Sequence, residues 1–419
     1  MPKPLTEARL HQLLTPQARV YAPGCAGHSL LFEAWLRAAP PSCAGAEYCG
    51  VWIPGVNGVD FSAVAGGSRA TAFFMSPLLH PGYRAGRVDY LPLHYHAIPP
   101  YLARRGRFDL ALVQVAPPDA DGRCSLGVAA DFTPAALASG ARILAHVNPR
   151  MPRTVGPSID WDDIDYAVEA DLPLLSVEDE APDPAMEALA RVVAERIGDG
   201  ATLQFGLGRL QAALLRQLTG RRQLRIHSGM VSSALLGLAE SGALAAPDRT
   251  APPVVTGVAL GSDALYRRLA EPGLARFAPV AYTHANATLA ALPRLVSINS
   301  ALNVDLLGQV NGETLDGRQV SGVGGMLDFV RGARLSEGGM SILALPATAR
   351  GGTLSRIVVS FGGLVSVGRT DVDCVVTEYG CADLRYLGVA ARAQALIGIA
   401  APQFRDGLAA QWHLLQKQL

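Results

Sequence analysis

The sequence predicts an α/β protein of two tandem domains with mainly parallel sheets, and three observations carry that prediction. The chain has 419 residues, too long for one ordinary core and suited to two of about 200 residues each. Short apolar runs ending in Gly or Pro alternate with segments of helical spacing, the pattern of strands joined by helical crossovers. One strand, glycine turn and helix order occurs in both halves, in "TPQARVYAPGCAGHSLLFEAWL" and in "GDGATLQFGLGRLQAALLRQL".

In chain order, "ARVYAPG" reads as a strand and "SLLFEAWLRAA" as a helix; "DLALVQVAP" and "ARILAHVNP" are further strands. The stretch "EDEAPDPAME" (178–187) is acidic, broken by proline and without periodicity, which marks a linker between domains over 1–180 and 185–419. "PAMEALARVVAERI" is an amphipathic helix. "QLRIHSGMVSSALLGL" (223–238) then runs a strand into an expected turn at His227, Ser228 and Gly229, ahead of a helix. In an α/β fold ligands lie at the carboxyl ends of the strands, so this turn is a candidate site.

Composition narrows the chemistry. Apolar residues make up 49% and charged residues 17%, ample for burial and unlike a disordered chain. The 36 basic and 36 acidic residues cancel, which argues against nucleic acid or an anionic membrane as the main partner. Lysine occurs only as Lys3 and Lys417, so any phosphate is left to arginine or backbone N–H. The six cysteines lack a C-x-x-C and read as free thiols, and no uncharged run of ~20 apolar residues or signal-peptide core is present. A cytoplasmic protein is expected.

Two glycine-rich segments are candidate cradles for a phosphate or thioester: "FGLG" with Gly206 and Gly208, and "SGVGG" with Gly322, Gly324 and Gly325. Turn geometry alone also explains glycines at such places. His94 and His96 in "LPLHYHAIP" have metal-ligand spacing without an accompanying ligand cluster; two residues sharing one packed strand face is the simpler reading, and no metal is predicted. Cys124 reads as a small buried thiol rather than a nucleophile.

Taken together, "FDLALVQVAPPDADGRCSLGVAADF", "VNPRMPRTVG", "DGATLQFGLG", "INSALNVDLLGQVNGETLDGRQVSGVGGMLDFVRGA" and "TDVDCVVTEYGCADLR" resemble the successive signatures of the acetyl-CoA hydrolase and 4-hydroxybutyrate CoA-transferase family. The resemblance implies two NagB/RpiA-like domains, a small acyl-coenzyme A thioester as substrate with a carboxylate acceptor, and a homo-oligomer, often a dimer. It also implies a glutamate nucleophile in a His-Thr/Ser-Glu-Met turn, carrying the acyl group as an anhydride and then CoA as a thioester. Gly229 stands at that position here. Met326 stands where the family has Gln after two glycines, and Tyr386 and Leu387 replace a Gly-Lys pair; by the resemblance the first change alters the oxyanion region and the second the surface near bound CoA. Asn299, Asn303, Asp305, Gln309, Asn311 and Glu378 match the pattern, and the asparagines, Gln309 and Met326 are expected at the substrate. His227 is the candidate general base and Glu378 the candidate replacement carboxylate, with a buried structural role as the alternative for each; Glu313 and Glu337 are weaker candidates. The expectation is an acyl-CoA-processing enzyme of the CoA-transferase family, with a hydrolase or other acyl-transfer enzyme using water or an acceptor at the vacated site, and a non-catalytic CoA-ester-binding homologue, as the alternatives.

Overall fold

The computed structural model describes the chain except residues 179, 180, 182 and 419 and the side chains of residues 105 and 106. It divides into two compact units. Unit 1 comprises Met1–Glu178, Pro247–Thr283 and Val320–Gly324; unit 2 comprises Asp179–Ala246, His284–Gln319 and Gly325–Leu419.

Unit 1 is built on eight strands: β1 (Lys3–Pro4), β2 (Arg19–Tyr21), β3 (Glu47–Gly50), β4 (Arg69–Ala72), β5 (Val88–Tyr90), β6 (Leu110–Val115), β7 (Arg142–Val147) and β8 (Tyr166–Glu169). They lie in the order β1-β8-β7-β6-β2-β3-β4-β5, and every neighbouring pair is parallel. A parallel sheet is covered on both faces, and β6, LALVQV, is accordingly buried at all six positions. Its one amide, Gln114, accepts from Asn148 Nδ2 at 3.1 Å. The helix Leu30–Arg37 starts where Ser29 accepts from the Phe32 amide, and it turns Phe32 and Leu36 into the core. The short strands Val254–Ala259 and Ala275–Phe277 also belong to this unit; Ala259 N donates to Val128 O at 2.9 Å and Phe277 N to Val155 O at 2.7 Å.

Unit 2 carries β9 (Thr202–Phe205), β10 (Arg225–Val231), β11 (Leu295–Ser300), β12 (Met340–Ala344), β13 (Cys374–Thr377) and β14 (Gly380–Asp383) in the order β10-β9-β11-β12-β13-β14. All of these pairs are parallel except the closing hairpin β13–β14. One core joins Val304, Leu343, Val375, Leu384, Leu396 and Trp412; a smaller one joins Leu289, Leu295, Phe329 and Ala333. Gly332 permits the second, because a Cβ there would lie 2.5 Å from that of Leu289.

The expected linker, 178–187, falls partly outside the described residues; from its end the helix Pro184–Ala194 begins, capped by Asp183 accepting from Met186 N at 2.9 Å. Two local expectations change. The turn foreseen at His227–Gly229 is a continuation of β10 to Val231, because Gly229 keeps its φ outside the left-handed region and so stays extended. His94 and His96 are not on a strand: Pro92, Pro99 and Pro100 interrupt sheet pairing, and a 3₁₀ turn at Tyr95–Ala97 stacks the two rings 6.0 Å apart.

Candidate active site

β9 and β10 bring Gly206, His227 and Gly229 to the carboxyl end of the unit 2 sheet. Successive side chains on a strand alternate faces, so with β10 extended through Val231, His227 and Gly229 share one face while Ser228 and Met230 take the other. Ser228 is spent on structure, its hydroxyl donating to Phe205 O at 2.7 Å. His227 is buried at 2% exposure, whereas Gly229 and Met230 are only half-buried.

The empty side of Gly229 is occupied by another residue. A Cβ built on Gly229 would lie 2.7 Å from Cε1 and 3.0 Å from Nε2 of His284, with Phe329 Cε2 at 3.9 Å. His284 is 1% exposed and its ring packs on Phe329 with centroids 4.6 Å apart. An imidazole therefore stands where any side chain at position 229 would begin. His284 carries no signal in the sequence: it follows a four-residue helix, Val280–Thr283, and no spacing ties it to β10.

Around this pair the other candidates fall into distinct places. Gly206 follows β9, its φ is unexceptional and a Cβ there would meet nothing within 4 Å, so it offers open backbone. Gly208 adopts φ 123° as the N-cap of the helix Arg209–Gln217, which has no side-chain cap hydrogen bond. Gln204 and Asn299 exchange hydrogen bonds at 3.1 and 3.3 Å, an amide pair that ties β9 to β11. Gln309 donates to Asp305 at 2.8 Å, and Asn311 holds a turn by accepting from Glu313 N and Thr314 N and donating to Thr314 O. Asn303 pairs with Asn311 across a short antiparallel ladder. Met326 opens the helix Met326–Leu335, with Gly325 ahead of it, and its Cε would lie 3.0 Å from a Cβ on Gly312.

Gly322 and Gly324, which belong to unit 1, have packing reasons for being glycine. A Cβ on Gly322 would fall 2.2 Å from Phe73 O, and Gly324 takes φ 61° while its carbonyl accepts from Tyr95 N at 3.1 Å. Glu378 follows β13 and accepts from Ala347 N at 2.8 Å. Burial lowers the proton affinity of Arg356 against the opposing pull of the Glu378 charge. Four strand spacings separate β13 from β10, about 19 Å across the sheet, so Glu378 does not stand beside Gly229. Among the described residues no group of three or more His, Cys, Asp or Glu side chains could hold a metal ion.

The arrangement gathers two buried imidazoles, His227 and His284, near Gly229. β10 itself supplies no carboxylate on the face of Gly229.

Residues 61–177 match the acetyl-CoA hydrolase/transferase N-terminal domain and residues 261–412 the C-terminal domain. The chain is 39% identical over 346 residues to the 4-hydroxybutyrate coenzyme A transferase of Clostridium kluyveri, covering 81% of each protein. It is 36% identical over 348 residues to the succinyl-CoA:cyclohexane-1-carboxylate CoA transferase of Geobacter metallireducens, covering 81% of this chain and 79% of that one. The crystal structure of RipA from Yersinia pestis superposes with a TM-score of 0.89 at 28% identity, covering 99% of this chain and 97% of that one.

Proposed function

From the premise that the chain belongs to the acetyl-CoA hydrolase/transferase family and is an acyl-CoA-processing enzyme, we propose that it cleaves a small acyl-CoA thioester without a covalent glutamyl-CoA intermediate. The observation that carries this reading is the Gly229–His284 contact. A glutamate nucleophile at position 229 would need the volume that the His284 imidazole occupies. Glycine offers no group to carry an acyl or CoA moiety, and Ser228 is committed to Phe205 O.

In the proposed step an imidazole on this face, His284 or His227, takes a proton from water. The hydroxide oxygen bonds to the acyl carbonyl carbon, the carbon–sulfur bond breaks, and the imidazolium returns its proton to the departing CoA thiolate. The N–H groups at Gly206–Gly208 and the start of the helix Arg209–Gln217 are the proposed donors to the thioester or to a CoA phosphate. A cytoplasmic homodimer completes the reading, and light scattering of the purified chain tests the assembly.

The experiment is turnover of a short acyl-CoA in ¹⁸O-labelled water, with and without a carboxylate acceptor. Release of singly labelled acid and free CoA supports hydrolysis. A new CoA ester of the added carboxylate refutes water as the acceptor. Binding of acyl-CoA with no turnover refutes catalysis.

A further inference from the structure

A pocket lies at the amino ends of strands β12 and β13 in unit 2. β12 begins at Met340 and β13 at Cys374, and the end of β14 pairs back with the start of β13, Asp383 opposite Cys374. Beside these ends an open pocket of about 210 Å³ is lined by Gly339, Asp373, Arg385 and Tyr386 and by Arg334 and Arg392 from the helices Met326–Leu335 and Val389–Gly398. β12 and β13 run about 10–15 Å from these ends to the carboxyl end where Gly229 and Gly206 lie. The acyl-transfer chemistry therefore does not explain the pocket.

Its charge is unbalanced. Arg334, Arg385 and Arg392 line it with Asp373, and because Arg385 is paired with Asp383 the excess is the one guanidinium of Arg392; Asp373 is 3% exposed, accepts from Ser341 N at 3.1 Å and meets Arg334 Nε at 3.4 Å. Arg334 also donates to Thr370 O. Arg385 is held in a fork by Asp383, at 2.9 and 2.6 Å. Arg392 donates to Arg369 O at 2.7 Å and, among the described residues, meets no carboxylate at ion-pair distance. It is half-buried, and burial first, then the charges of Arg334 and Arg369, pull its proton affinity below the usual guanidinium range. Like charges gathered in a partly desolvated recess cost free energy that a bound anion returns.

The rim is unusual as well. Tyr386 holds a left-handed backbone at φ 59° with its side chain fully exposed, a conformation costing roughly 1–2 kcal/mol for a residue with a Cβ. Guanidinium forks match the paired oxygens of phosphate, and in a chain with two lysines arginine is the side chain left for that task.

We infer that this pocket binds a small multivalent oxyanion of the phosphate class, at a site separate from the acyl-transfer end of the sheet. Its separateness from the acyl-transfer end rests on the placement of that end at Gly206 and Gly229; the charge and lining of the pocket do not. The anion is either a free phosphate or pyrophosphate or the phosphate portion of a nucleotide.

The test is calorimetric titration of sodium pyrophosphate into the full chain at low salt. One saturable site per chain is expected. Arg392→Met should weaken it about tenfold or more, as loss of a charged hydrogen bond does, and Arg331→Met, outside the pocket, should leave it unchanged. Raising NaCl should weaken the wild-type interaction, which keeps the inference testable if Arg392→Met does not fold. Displacement by CoA supports the site and assigns a nucleotide phosphate; simultaneous binding of CoA supports it and assigns the free anion. No saturable heat, salt-independent binding, or full affinity in folded Arg392→Met overturns it.

Discussion

Adding a single methyl group at Gly229 tests whether His284 fills the side-chain space of β10. The Cβ of a Gly229→Ala variant would lie 2.7 Å from His284 Cε1, where carbon atoms settle at about 3.5–4.0 Å. The ring must therefore retreat by about 1 Å. It is 1% exposed and backed by Phe329 at 4.6 Å, so the retreat disturbs the small core of Leu289, Leu295 and Ala333. Overpacking of this kind costs about 1–3 kcal/mol. For a unit of this size the midpoint of thermal unfolding falls by roughly 2–4 °C per kcal/mol. No backbone penalty adds to this, since Gly229 lies outside the left-handed region. The assay is a thermal and urea double-mutant cycle over Gly229→Ala and His284→Ala. Once the imidazole is gone the methyl group has room, so the double variant should be more stable than the sum of the singles predicts, by about 0.5–3 kcal/mol. A wild-type midpoint in Gly229→Ala, or strict additivity, would refute the contact.

The remaining predictions address other parts of the molecule. Gly206→Ala meets nothing within 4 Å and should shift stability by less than about 0.5 kcal/mol, so any loss of CoA-ester affinity in calorimetry reports a ligand contact. Gly208 and Gly324 are poorer probes because φ of 123° and 61° penalises any side chain; Gly322→Ala, blocked by Phe73 O, should destabilise by about 1–3 kcal/mol or more in the same melts. Glu33 is held down to about 2 by the hydrogen bond from His28 first, with Arg37 adding to it against burial. Its stabilising effect is thus present above the ordinary carboxylate range and lost as pH falls toward about 2. The stability gap between wild type and Glu33→Gln should close over that acid window. Cys381 is made more acidic by the hydrogen bond with Cys374, aided by Arg196 and Arg385, whereas burial pushes the thiols of Cys25 and Cys49 up. Peptide mapping after brief alkylation at neutral pH should find Cys381 labelled first.

Much of the architecture was legible because parallel α/β units write themselves as apolar runs with helical spacers. The strand at Leu110–Val115, the helix at Leu30–Arg37 and the order β9, glycine turn, helix all follow from that pattern. The two units were not readable from local periodicity, because unit 1 recruits Pro247–Thr283 and Val320–Gly324 through contacts distant in sequence. The glycines illustrate the same limit. Gly24 and Gly206 occupy similar places after β2 and β9, yet a Cβ on Gly24 would lie 1.8 Å from Val51 O and one on Gly206 would meet nothing. Spacing cannot separate a glycine needed for packing from one that leaves a backbone open. His284 carried no signal because its importance lies in what it touches across the chain, and Arg392 became a candidate only when folding placed it near Arg334 and Arg369.

The claim that organises this account is that the thioester is cleaved without covalent attachment of acyl or CoA to the protein. Intact-protein mass spectrometry tests it most directly, on wild-type chain quenched in acid during turnover of a short acyl-CoA. The protein mass should stay unchanged while free CoA accumulates. A protein population heavier by CoA less water, mapped to Glu378 or any other carboxylate, would contradict it.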